Sequence, residues 1–168
     1  MNAIVLSDIL VHGLMFSVVI SAMLLTGLTL NPRLMIQDYP PEVKAKLPPM
    51  TPSEKRWQMV MGVPIFGAVI FIMTYSTAQV IARNNGVAEF LPIFINAYAV
   101  FWLFNLFDLV VLDYFVLMIL KPGFLIPPGG EGVTDMSTFG FHVRGFFIGC
   151  LYSGVVALLT TVIALIMT

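Results

Sequence analysis

Apolar residues along this chain fall into four long runs, at about residues 9–30, 57–82, 90–120 and 143–167. Polar stretches rich in proline and glycine separate them. A spanning helix needs about 20 mostly apolar residues, because it rises about 1.5 Å per residue across a hydrocarbon core of about 30 Å. Every run meets that length. The pattern predicts an all-α, polytopic membrane protein, with four transmembrane helices in one antiparallel bundle occupying residues 1–168 as a single domain. The third run exceeds the requirement, which predicts a tilted or projecting helix. The first run has no lysine or arginine before it and too long an apolar core for a cleavable signal peptide, so it is expected to stay as a span.

The loops at about 31–56 and 121–142 differ in kind. The first carries Asn31-Pro32-Arg33, Asp38-Tyr39-Pro40-Pro41, Pro48-Pro49 and Thr51-Pro52-Ser53-Glu54. Proline removes backbone donors and fixes φ, so this loop reads as successive turns, with one short helical turn over Glu42 to Leu47. Thr51, Pro52 and Glu54 form a helix-start signature: a capping hydroxyl, a proline at the first position and an acid to complete a capping box. The second helix should therefore begin in water near Pro52 and enter the bilayer around Trp57. The other loop carries Lys121-Pro122-Gly123 and a glycine-rich stretch over residues 127–132. That stretch lacks the Gly-Lys-Ser/Thr ending of a phosphate loop and reads as a stiff turn followed by a flexible one.

Charge adds direction. Loop one holds Arg33, Lys44, Lys46, Lys55 and Arg56, and the second large loop and its edges hold Lys121 and Arg144. The short connection between spans two and three holds only Arg83. Under the positive-inside rule both larger loops are cytoplasmic and both termini are outside. Composition agrees with a membrane: 59% of the 168 residues are hydrophobic and 10% charged, with a mean hydropathy of +0.97. A net charge of −1 argues against a nucleic-acid partner. The single cysteine, Cys150, excludes an intramolecular disulfide and a cysteine-cluster metal site.

Helices in lipid associate through close packing at small residues and through polar contacts. Span four repeats Gly145, Gly149, Ser153, Ala157 and Thr161 every four residues, and span one carries Gly13, Ser17 and Ser21. Antiparallel alignment puts Ser21 near the depth of Ser153 and Ser17 near that of Ala157. These strips are expected to pack spans one and four together; the rival is a contact with another protomer or subunit.

Span three carries the unusual chemistry: Tyr98, Trp102, Asn105, Asp108 and Asp113. At about 100° per residue they share one face within an arc of about 140°, with Asp108 and Asp113 at its two edges. Asn105 and Asp108 are close enough along the helix to touch. A lone carboxylate at such depth costs several kcal/mol or takes a proton. Two readings stay open: structural acids bonded to Asn105, to a neighbouring hydroxyl or to Lys121, Arg144 or His142, or a substrate, proton or ligand site. Lys121, His142 and Arg144 are candidates for lipid headgroup or phosphate contact. His12 and His142 should sit near opposite membrane faces, roughly 20 Å or more apart at about 1.5 Å per residue, so one chain cannot use both on a single haem. No HExxH, paired cysteines or di-iron acid–histidine spacing occurs, so no metal or cofactor is implied.

Asn31-Pro32-Arg33, Asp38-Tyr39-Pro40, Asn105-Leu106-Phe107-Asp108, Leu112-Asp113, and Pro128-Gly129-Gly130-Glu131-Gly132 followed by Phe141-His142 resemble a family of bacterial four-helix integral membrane proteins with no assigned activity. The resemblance covers both larger loops and span three and implies no mechanism. Small four-span enzymes that use glutathione have a helix pattern of arginine and glutamate that this chain lacks. Three functions remain. The first is a non-catalytic bundle that binds lipid or a hydrophobic ligand, or serves as a subunit of a membrane complex. The second is an enzyme acting on a lipid or isoprenoid at the cytoplasmic surface. The third is a proton- or ion-linked carrier acting as a dimer. Expected partners are membrane lipids, copies of itself or other membrane subunits, and the expected location is a bacterial inner membrane.

Overall fold

The computed structural model describes residues 6–127 and 139–168. Every element in these residues is helical. Four helical spans are long and apolar enough to cross a membrane: Leu6–Leu30, Pro52–Arg83, Phe90–Leu120 and Phe139–Met167. The first is α1, and a four-residue turn, α2 (Pro41–Lys44), lies in the loop after it. The others are α3 (Pro52–Arg83), α4 (Phe90–Phe107) with its continuation Asp108–Leu120, and α5 (Phe139–Met167). The glycine-rich stretch at 128–132 lies outside the described residues.

The start of α3 follows its sequence signature. Thr51 Oγ1 accepts from the Glu54 N–H at 3.2 Å, and Glu54 Oε2 accepts from the Thr51 N–H at 2.7 Å. The Thr51 backbone bond, helped by the Thr51 hydroxyl, Asn31 and Arg33, holds the Glu54 carboxyl below its ordinary range. Arg33 closes the loop. Its Nε lies 2.9 Å from Glu54 Oε1, and its Nη2 donates to the carbonyls of Pro48 and Pro49 at 2.8 and 3.0 Å. Between these ties the chain makes a 3-10 segment, Pro32–Asp38, and then α2. Tyr39, Val43 and Leu47 are buried together there, against Ile36 and Ile126. The Tyr39 hydroxyl donates to the Pro32 carbonyl at 2.9 Å and approaches the Leu125 carbonyl at 3.4 Å, which joins the two larger loops.

α4 occupies the centre of the bundle. Its most extensive contacts are with α5 and then α1. The core comprises Ile9, Phe16 and Ile20 of α1, Ile72 and Met73 of α3, Ala97 and Val100 of α4, and Ala157 of α5. The Phe16 ring lies 5.0 Å from Phe104 and 5.5 Å from Phe101, centre to centre. α3 buries only residues between Ile72 and Val80, while Met59, Val63 and Phe66 before them face outward. Pro64, which cannot donate the helical bond, lies in this more exposed half of α3. Asn85 and Gly86, with φ of 57° and 82°, turn the chain from α3 into α4. At that same end Arg83 Nη2 lies 2.6 Å from Asp8 Oδ2.

One expectation is corrected. The small-residue strips of spans one and four do not meet each other. A methyl group on Gly13 would run into Leu103, and one on Gly149 would run into Asn105, both on the central span. Ser17 and Ser21, and Ser153, Ala157 and Thr161, are buried along the same two faces. Each notch receives a larger side chain of α4 instead of another notch. Gly145 is exposed, and a methyl there would meet nothing within 4 Å.

A buried polar chain also ties α1, α3 and α4. His12 Nδ1 lies 3.0 Å from Ser76 Oγ, which accepts from Asn96 Nδ2 at 2.7 Å. Such interhelical bonds contribute about 0.6–2 kcal/mol each in a membrane. His12 serves this junction.

Candidate functional site

The polar face of span three splits into two parts. Tyr98, Trp102 and Asn105 all turn toward α5. A methyl on Gly154 would stand 3.9 Å from Tyr98 Cε2, and the Trp102 ring meets Phe146 edge-on at 6.5 Å. Asn105 Nδ2 donates to the Phe146 carbonyl at 2.8 Å and approaches Cys150 Sγ at 3.6 Å. Its amide nitrogen therefore goes to α5 and not to Asp108. These three residues are packing and anchoring groups between α4 and α5.

Below Asn105 the helix changes. Asp108–Leu120 is a π-helix of 13 residues, ending at Lys121, whose N–H bonds to the Val116 carbonyl at 3.0 Å. Lys121 itself is left-handed, with φ 47°. π-helices are rare, usually one turn long, and found often at functional sites. This corrects the α-helical angles read from the sequence. A π-helix has more residues per turn than an α-helix, so residues five apart are separated by little more than one turn, and Asp108 and Asp113 lie nearer one another than the α-helical angles put them. They come to one side, and both line the same two cavities.

The first cavity, about 260 Å³, lies between the end of α1, the π segment and the two loops. Leu24, Leu28, Val116, Leu117 and Leu125 give it apolar walls, and Asp108, Asp113 and His142 are among its polar groups. The second, about 250 Å³, lies between the π segment and α5, and is lined by Asn105, Asp108, Asp113, His142 and Gly145 among others. Both cavities thus share Asp108, Asp113 and His142.

His142 joins the site from the first turn of α5. Its Nδ1 lies 3.0 Å from Asp113 Oδ1, and the residue is 7% exposed. Its other ring nitrogen, Nε2, is buried and has no hydrogen-bond partner among the described residues. Leaving a buried polar atom unpaired costs about 1–3 kcal/mol, so such an atom in a cavity wall calls for an explanation. A carboxylate on one imidazole nitrogen fixes the tautomer and orients the other, an arrangement used by general bases and by metal ligands alike. Among the described residues no group of three His, Cys, Asp or Glu side chains gathers as a metal site.

Lys121 and Arg144, grouped with His142 as headgroup contacts, are exposed and line neither cavity. Of the candidate acids and bases, the structure unites Asp108, Asp113 and His142. It adds the leucines of α1 and the π segment, together with Tyr39. The leucines carry no distinguishing mark in an apolar run, and Tyr39 stood out only through its turn sequence. Comparison with protein-family models, with curated proteins and with solved structures finds no match.

Proposed function

We propose that the protein is a small integral membrane protein that holds a hydrophobic or amphiphilic ligand at the end of the bundle bearing the two larger loops. The observation that carries this reading is the first cavity, with apolar walls and convergent polar groups at one end. Ligand sites in proteins have that composition: mostly apolar lining and a few placed polar groups that fix orientation. The acids and the imidazole are the polar groups, and the leucines of α1 and the π segment are the walls. Membrane lipids, or molecules dissolved in them, reach such a site from the bilayer.

Leu117→Trp adds bulk to the cavity wall without touching Asp113 or His142. Native mass spectrometry of the protein released from its own membrane should find a bound small molecule on the parent and about tenfold less on the variant. Equal occupancy of both proteins would sink the cavity as the ligand site.

The cavity end also carries seven of the eight basic residues, leaving Arg83 for the opposite end. That asymmetry supports a cytoplasmic site with both termini outside, and a bacterial inner membrane is the location proposed with it. In a Cys150→Ser background, Lys44→Cys should resist a membrane-impermeant thiol reagent in intact cells, and Arg83→Cys should react. The reverse result would turn the protein over.

A further inference from the structure

The unpaired nitrogen of His142 narrows the ligand's chemistry. The ring is held from one side: Nδ1 faces Asp113 Oδ1 at 3.0 Å. In the tautomer with the hydrogen on Nδ1, the Asp113 carboxylate accepts it and Nε2 presents a lone pair. That atom is buried, with no partner among the described residues, on a residue lining both cavities. In that tautomer, what satisfies it donates a hydrogen bond.

The rest of the lining excludes most heads that could do so. No lysine or arginine is among the described residues lining either cavity, while Asp108 and Asp113 line both. A phosphate or carboxylate head would face two acids with no cation beside it. An ammonium head would leave water for a largely apolar cavity, which is costly without a dedicated counter-ion. Asp113 is already engaged by His142, and Asp108 has an interaction of its own. A hydroxyl needs only one acceptor and brings no charge. The walls beyond it suit an aliphatic chain: Leu24 and Leu28 from α1, Val116 and Leu117 from the π segment.

We propose that the ligand is a neutral long-chain alcohol, whose hydroxyl donates a hydrogen bond to His142 Nε2 and whose chain lies between α1 and the π segment. This rests on the cavity being the ligand site. Asp113 is then a positioning residue: it fixes the tautomer and aims the ring. The π-helix supplies the geometry, since it brings Asp108 and Asp113 to one side of the helix and sets both at the cavity wall.

The test uses three diazirine-bearing probes of one chain length, an alcohol, a phosphate and an amine, on the whole protein in nanodiscs. The alcohol should label the parent at least about tenfold more than either charged probe, and His142→Leu should lose about tenfold of that labelling. Equal labelling by the phosphate or the amine, or undiminished alcohol labelling of His142→Leu, overturns the head assignment. Leu117→Trp separates the two levels. If it leaves alcohol labelling intact, the cavity reading itself fails; if it blocks labelling while His142→Leu does not, only the head assignment fails. Nitrogen NMR of the labelled histidine ring in the unmutated protein guards against a misfolded variant. The Nε2 resonance should lie at the bare-nitrogen position and shift toward the hydrogen-bonded range on adding the alcohol. A hydrogen on Nε2 with Nδ1 bare would overturn the proposal.

Discussion

Gly13→Ala should lower the stability of the folded bundle by about 2 kcal/mol. A methyl at Gly13 would stand 2.6 Å from Leu103 Cδ1 and 2.9 Å from Leu103 Cβ. The first of these atoms could swing away, but the second is fixed to the α4 backbone. Relief therefore requires α1 to move off α4, and α1 carries Phe16 and Ile20 into the core beside it. Overpacking of this kind costs about 1–3 kcal/mol, and the better helix propensity of alanine returns up to about 1. Titration from mild detergent into a denaturing one, followed by circular dichroism, reads the difference. Leu103→Gly, which removes both atoms, should cost less in the Gly13→Ala background than in the parent. A stability unchanged or raised in Gly13→Ala would mean that the close approach of α1 to α4 is not there.

That prediction also shows what the sequence could and could not tell. Span lengths follow from hydropathy, because a bilayer imposes one thickness on every helix. The start of α3 follows from Thr51, Pro52 and Glu54, because capping is local chemistry. The small-residue strips were legible as faces of close approach. Their partner was not. A notch at Gly13 or Gly149 states only that something bulky comes near. Matching notch to notch by depth paired α1 with α5, whereas Leu103 and Asn105 of α4 fill the notches. Polar residues on span three were also legible as one face, and Tyr98, Trp102 and Asn105 do share one toward α5. The departure came at Asp108, where the backbone leaves the α-helical period on which the angular reading depends. Nothing in Asp108–Leu120 marks a π-helix in advance, since the change lies in hydrogen-bond register and not in residue type. The Asp113–His142 pair sat among named alternatives. Its selection over Lys121 and Arg144 is a matter of which face of α5 turns inward: His142 is buried, and Arg144 faces out.

Gly149→Ala should cost about 3 kcal/mol, and nearly all of that cost should pass through Asn105. A methyl on Gly149 would overlap the Asn105 amide, with Cγ and Nδ2 each at 2.7 Å and Oδ1 closer still. Asn105 must then abandon its bond to the Phe146 carbonyl and its approach to Cys150. The steric overlap and the broken bond add, so the loss exceeds one ordinary hydrogen bond. A double-mutant cycle isolates this. Asn105→Ala alone should be destabilising by about 1–2 kcal/mol, because it removes both the bond and the side chain filling the notch. Placed together, the two changes should cost well below their sum, with a coupling of about 2 kcal/mol, since alanine at 149 can occupy space that Asn105 has vacated. Strict additivity would show that Asn105 does not sit in the Gly149 notch. The same cycle bears on the ligand site, because Asn105 walls the second cavity and not the first. Alcohol labelling in the first cavity should therefore survive Asn105→Ala, which separates the helix anchor above the π segment from the chemistry within it.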